Sequence, residues 1–353
     1  MKKKGKCLCC VILALFYFIL YGCFDVAFSL ESIVFLRDNN LWIMGSEGEN
    51  QRQLTKMEVC AFSPSKNGEM VAFIDIAAGD IHVLSLKDLE LKKLTDTKNR
   101  DLAISPDGSK IAFVKADEVY TDAEARRIGI EEGTAKKTGI YVLDLQTGQQ
   151  RRLIGELPSY LLSREQRLPS YLLYTEDLGD VTDWLDCCLF WSPDGKKLHF
   201  IRVFNPYKFK EGGPNSYNYL LDLKERAVEC IGHHSQPVMS WVGERIVFGG
   251  GEGITFSIFD LRTKETVDWG HGHAAISPDG RKVVYITTEK KRIDGKYKWQ
   301  ENLTVKDMLS KRTIMRLLAS DSQYSFGYPS WSPDGSKIAF VRSTLTPTEV
   351  YQV

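Results

Sequence analysis

The sequence predicts an all-β fold: a single β-propeller of four-stranded blades, seven in preference to six, behind an N-terminal segment of a different kind. Three observations predict it. A Ser-Pro-Asp-Gly turn recurs along the chain. Apolar residues alternate with polar ones on both sides of each copy, as in half-buried strands. The copies recur at about 40 residues, the period of a propeller blade rather than of a helical repeat.

Aligned on the serine, the copies are AFSPSKNGEMVAFI from Ala61, AISPDGSKIAFV from Ala103, FWSPDGKKLHFI from Phe190, AISPDGRKVVYI from Ala275 and SWSPDGSKIAFV from Ser330. MSWVGERIVFG from Met239 is a decayed sixth. This alignment places the serines at 63, 105, 192, 240, 277 and 332. Turn chemistry explains the motif: Pro presets φ near about −65°, Asp suits the next position, and Gly accepts the left-handed conformation closing a three-residue hairpin. The flanking runs are then strands one and two of a blade. Third strands follow as IHVLSL (81–86), IYVLDL (140–145), YLLDL (219–223) and FSIFDL (256–261), and short basic stretches such as ELKKLT supply the fourth. At the N-terminus, 32–55 reads as strands two to four without a clear first strand. At the C-terminus, the last copy reads as strands one to three, so incomplete ends would join to close the ring and hide edge strands. Counting strand-two/strand-three hairpins gives seven blades; letting Pro329–Pro333 complete the first blade gives six.

The propeller spans 32–353, with insertions at 115–137 and 155–182. The first holds a short helix around Asp122–Glu131. The second carries LPSYLL twice, at 157–162 and 168–173, and reads either as a lid or docking flap on one rim or as a local duplication packed on a blade. A basic loop at 287–302 reads as a solvated hairpin tip. Gly249–Gly253 falls at a hairpin turn and opens no helix, which excludes a dinucleotide loop.

Residues 1–29 form a basic head and an unbroken apolar run, the pattern of a secretory signal peptide or membrane anchor. Three exits are open: lipidation at Cys23 in Leu20-Tyr21-Gly22-Cys23, cleavage after Ala27-Phe28-Ser29, or an uncleaved anchor. Export makes the four remaining cysteines relevant. Cys187 and Cys188 would point to opposite faces of a strand, either could meet Cys230, and buried thiols, Cys60 included, are the preferred reading. Net charge is zero, which gives no reason for a nucleic-acid partner. No Gly-x-Ser-x-Gly elbow or Walker sequence is present.

The xWSPDGxKIAFV units resemble the WD40-like repeats of the TolB family, and those of prolyl-oligopeptidase relatives and oligogalacturonate lyases, over nearly all of 32–353. That resemblance implies a TolB-like propeller without the family's separate N-terminal α/β domain. It is specific for fold and weak for function. One constellation stands apart. His234 and Gln236 lie six and four residues before Ser240, and His271 and His273 lie likewise before Ser277. Similarity to the oligogalacturonate lyases implies that His234, Gln236, His271 and His273 hold a divalent metal at the channel mouth. Against this, His and small polar residues at blade starts often bond only to neighbouring loops. The leading expectation is an exported protein, periplasmic or anchored and facing outward. It binds a protein or envelope component across one rim, without cofactor, catalysis or nucleic acid, and meets the membrane only through its N-terminal segment. The alternative is a metal-dependent propeller enzyme.

Overall fold

The computed structural model describes residues 26–29, 32–131, 133–155, 183–204, 215–232, 236–249, 255–293, 296–318, 325–343 and 349–352. Cys23, His234, the LPSYLL repeats and Gly250–Gly253 lie outside the described residues. The chain forms consecutive antiparallel meanders. The first is β1 (Val26–Ser29), β2 (Ser32–Arg37), β3 (Asn40–Gly45) and β4 (Arg52–Gln53); the next is β5 (Val59–Pro64), β6 (Met70–Asp75), β7 (Ile81–Ser85) and β8 (Leu91–Lys93). One eight-stranded sheet follows. Its halves are β9 (Asn99–Ile104), β10 (Lys110–Val119), β11 (Ala135–Asp144) and β12 (Gln150–Ile154), then β13 (Trp184–Trp191), β14 (Lys197–Phe204), β15 (Asn215–Asp222) and β16 (Val228–Gly232). A single parallel bridge, Lys137 to Trp184, joins the halves. Two further four-stranded sheets are β17 (Val238–Val242) to β20 (Glu265–His271), through β18 (Arg245–Phe248) and β19 (Thr255–Asp260), and β21 (Ala274–Ile276) to β24 (Thr313–Leu318), through β22 (Lys282–Ile293) and β23 (Lys296–Asp307). The last sheet has three strands, β25 (Ser325–Trp331), β26 (Ile338–Ser343) and β27 (Glu349–Gln352).

Each meander is apolar on both faces, and each face packs on a neighbour. Val34 and Phe73 share one interface, Ala72 and Phe113 the next, and Ala112 and Phe200 join the halves of the eight-stranded sheet. The series continues through Leu220 with Ile246, Val247 with Val283, and Val284 with Phe340. Ile33 and Phe35 then pack on Ala339 and Val341, so the last sheet meets the first. The ring closes. It does so by face-to-face packing of the two end sheets, reinforced by Lys337 Nζ on Glu47 and on Ser46 Oγ (3.2 Å); among the described residues the two sheets share no strand. The N-terminal meander also has the first strand that the sequence reading denied it. β1 pairs with β2 from residues assigned above to the leader.

The repeated turn is a polar lock. In four copies the serine hydroxyl donates to the aspartate two residues on at 2.6–2.7 Å and accepts the amide of the lysine five residues on at 2.8–2.9 Å. Those serine hydroxyls hold Asp107 and Asp334 down at about 2, and Asp194 and Asp279 below the usual carboxylate range. Gly108, Gly195, Gly280 and Gly335 take φ of 69–72°, where an L side chain is strained. Ser105 pairs with Lys110, so the connection has four residues rather than three. Two copies were out of register in the sequence alignment. In the first, Ser65 and not Ser63 receives the amide of Met70 at 3.0 Å. In the decayed copy Trp241 pairs with Ile246 as Ile276 pairs with Val283, so Val242 and not Ser240 matches Ser277.

The displaced serines have a different task. Ser63 Oγ accepts the Ile104 amide (3.1 Å), and Trp191 Nε1 donates to the Ala103 carbonyl (2.9 Å). Ser240 Oγ accepts the Ile276 amide (3.3 Å), and Trp331 Nε1 donates to the Ala275 carbonyl (3.1 Å). The inner strands β5-β9-β13 and β17-β21-β25 thus carry one pattern of cross-sheet bonds twice.

The first insertion is a hairpin extension with helix α1 (Asp122–Ile128), opened by a Thr121/Glu124 capping box and closed by Gly129 in the left-handed region. The region 287–302 is no loop: β22 and β23 stay paired out to Ile293 and Lys296. Beside the junction of the eight-stranded sheet, Arg202 is 1% exposed and grips Asp186 in a two-pronged pair at 2.6 and 2.8 Å. Its remaining nitrogen donates to the Gly155 carbonyl at 2.6 Å, where the second insertion begins. Removing one partner of such a pair strands a buried charge. Asp186→Ala is therefore expected to cost about 3–5 kcal/mol, read as a lower urea midpoint.

Candidate functional site

The inner strands deliver their turns to one end of the ring, and a cavity of about 510 Å³ lies among them. Its wall alternates turn prolines, Pro106, Pro193 and Pro278 among them, with aromatic faces such as Phe190, Trp191 and Trp331. An apolar cavity with a few fixed polar groups is the usual form of a binding site.

The polar group that matters most is Asp101, 7% exposed in β9. Its oxygens accept the amides of Leu189 and Leu102, each at 2.8 Å. Burial pushes the carboxyl up to about 6 against those amides and that of Cys188. The amides it receives from β13 belong to a β-bulge. The β13–β14 register breaks between Cys187 and Phe190, and Cys188 sits at φ 58°. On the bulge's other side the ring of His199, fully buried, lies 3.1 Å from the Cys188 carbonyl and 2.7 Å from Asn218 Oδ1. Burial depresses His199 to about 4, so the imidazole is neutral and donates one N–H.

The same device recurs half a ring away. The β25–β26 register breaks between Gly327 and Ser330, and Tyr328 sits at φ 49°. His273, four residues before Ser277 as Asp101 is before Ser105, packs on Tyr328 with ring centroids 4.2 Å apart and planes tilted by 41°. Burial depresses His273 to about 4 as well. His273 thus occupies the place of Asp101 in its own sheet and contacts the bulge of the adjacent sheet.

Three of the four residues expected to hold a metal, Gln236, His271 and His273, are among the described residues. His271 ends β20, the outer strand of its sheet, paired to Thr255 and exposed. Gly272, at φ 85°, then turns the chain inward to His273. The two histidines therefore do not share a strand face, because they are not in one strand. The shift of Ser240 also unmatches His234 and Gln236 from His271 and His273. Gln236 is half-buried, and His234 lies outside the described residues. Among the described residues no group of three His, Cys, Asp or Glu side chains is placed to hold a metal, and no helix is long and apolar enough to cross a membrane. Sequence reasoning passed over Asp101 and read Cys188 only as a buried thiol or a partner for Cys230. The spacing shared by Asp101 and His273 was the available signal.

With this geometry in view, solved structures supply the comparison. The chain is similar to the β-propeller domain of the Trilobed protease from Pyrococcus furiosus, with 16% identity, 93% of each chain covered and a TM-score of 0.57. The fold is a β-propeller. An oligogalacturonate lyase in complex with manganese is similar at 13% identity over 89% of this chain and 82% of that one, TM-score 0.56. TolB from Acinetobacter baumannii aligns at 16% identity over 84% of this chain and 66% of that chain, TM-score 0.48. The chain spans about half the length of an acylaminoacyl peptidase and a prolyl endopeptidase structure that it also matches, 52% and 50% of those chains. No protein-family model and no curated protein matches this propeller.

Asp101 provides a pH test. Its folded pKa stands above the ordinary 3.8, so the native state keeps the proton longer and the stability gained is lost as pH rises to about 6. His199 and His273, depressed below 6.5, act with the opposite sign, losing stability as pH falls toward about 4. Asp101→Asn should remove the carboxylate's share alone. Denaturant melts from pH 4 to about 7 should show the variant gaining on the parent by on the order of 3 kcal/mol across that window. A constant difference would contradict the assignment.

Proposed function

We propose that this chain is an exported, seven-bladed propeller that acts as a non-catalytic binding scaffold for a protein or envelope component, gripped across the rim where the inner turns surround the cavity. The observation that carries this reading is the convergence of proline and aromatic side chains from successive inner strands on one rim. The count of seven takes each half of the eight-stranded sheet as a blade, since one parallel bridge joins them.

Export would follow from the apolar leader, with the protein periplasmic or anchored and facing outward. The three exits are not equal in their structural consequence. Cleavage after Ser29 would remove β1, which pairs with β2 along its whole length. That supports an exit at or before Cys23, by lipidation there or by retention of the anchor. N-terminal sequencing and labelled-lipid incorporation test it: a mature chain starting at residue 30 would overturn the reading, and Cys23→Ser should abolish any lipid label.

The rival reading is a metal-dependent enzyme using His234, Gln236, His271 and His273. Likeness to a manganese-bound lyase favours it, and the separation of His271 from His273 by Gly272 counts against it. One experiment separates the two. Envelope extract is passed over immobilised wild type and over Pro106→Glu/Pro193→Glu, which alters the rim alone. The scaffold reading expects retention of a partner by the wild type and at least a tenfold loss in the variant. Stoichiometric metal in the purified protein, with lyase activity lost in His271→Ala/His273→Ala, would overturn it.

A further inference from the structure

Neighbouring side chains of a regular strand project to opposite faces, and Cys187 and Cys188 would then stand apart. Here they do not. The bulge in β13 interrupts the alternation, Cys188 takes φ 58°, and the two Sγ atoms lie 3.6 Å apart with the Cys188 thiol donating to Cys187. None of Cys60, Cys187, Cys188 and Cys230 is in a disulfide. A non-glycine residue held in the left-handed region is a strained backbone, persisting only where its surroundings impose it, and such residues cluster at functional sites. Here the surroundings impose it: Asp101 holds the Leu189 amide from one side and His199 holds the Cys188 carbonyl from the other.

Access differs between the two sulfurs. Cys188 is half-buried and lines the central cavity, whereas Cys187 is 4% exposed beneath it against Ile201 and Val203. An accessible thiol with a second thiol in reach behind it is the arrangement of an attacking and a resolving cysteine.

We propose that Cys187 and Cys188 form a redox-active vicinal dithiol that opens onto the central cavity and exchanges with disulfide compounds entering it. The Cys188 thiolate attacks one sulfur of the compound and displaces the first thiolate, leaving a mixed disulfide on Cys188. Cys187 then attacks the Cys188 sulfur, closes a ring across their shared peptide bond and displaces the second thiolate. The protein loses two electrons and two protons; the compound's sulfur–sulfur bond takes both electrons, and its two thiols take the protons. Adjacent Cα atoms are about 3.8 Å apart, below the about 4.4–6.8 Å of ordinary disulfides, so the product is strained and readily reduced again. The bond is suited to cycling and not to stapling the fold.

The hydrogen bond to Cys187 and burial hold the Cys188 thiol well above its ordinary range, so the test is run at mildly alkaline pH, where more thiolate forms. The full reduced chain is incubated natively with excess oxidised glutathione, alkylated, digested and mapped by mass. The expected result is one peptide containing both Cys187 and Cys188, lighter by two hydrogens, unalkylated, and restored by brief treatment with reduced glutathione. Cys187→Ser should instead stop at a glutathione adduct on Cys188. Two alkylated cysteines in the wild type, a persistent adduct on Cys188, or a link to Cys230 or Cys60 would each overturn the proposal. The wild-type readout needs no variant to fold.

Discussion

Every sheet of this ring is apolar on both faces, and a twisted sheet of four strands cannot cover itself. Burial of Phe73, Phe113, Phe200 and Ile246 is complete or nearly so only because a neighbouring sheet lies on each side. The ring is the arrangement that gives every sheet two neighbours, which is why closure matters more than any single contact. The first and last sheets must meet, and they do through Ile33 and Phe35 on Ala339 and Val341. Among the described residues no strand is shared between the end sheets, so closure rests on this apolar packing and on the close approach of β1 and β25. That dependence gives β1 weight beyond its four residues, and with it the position of N-terminal processing.

Within the ring, polar side chains fix what apolar packing leaves loose. Hydrophobic faces slide; hydrogen bonds to particular inner-strand amides do not. Ser63 with Ile104, Trp191 with Ala103, and their counterparts Ser240 with Ile276 and Trp331 with Ala275 set the relative height of successive inner strands. The bulges at Cys188 and Tyr328 belong to the same repeating scheme, each at the third strand of its set and each met by the residue four positions before a turn serine.

Much of the fold was readable because turn chemistry is local. Pro, Asp and Gly dictate a hairpin whatever lies around it, and the third-strand runs announce themselves by alternation. The misreadings were of another kind. Ser63 and Ser240 look like turn serines, yet pairing shows them two residues inside the inner strand, bonded to the next sheet. Nothing local separates the two roles, since the difference is which amide lies opposite. Bulges hid the rest: an extra residue leaves no compositional mark, so alternation wrongly sent Cys187 and Cys188 to opposite faces.

The two halves of the repeating scheme use the same scaffold for different chemistry. At one, His273 is an uncharged aromatic ring set at a tilt against another ring, a contact of shape and dispersion that asks nothing of protonation near neutrality. At the other, Asp101 is a carboxyl with its pKa raised to about 6, holding backbone amides that set the geometry of two thiols. A carboxylate receives those amides better when ionised, while burial favours the neutral acid; the balance falls at about 6. Of the two, Asp101 lines the cavity, beside Cys188. Whatever enters it meets the sulfur pair on the side whose backbone anchor responds to pH.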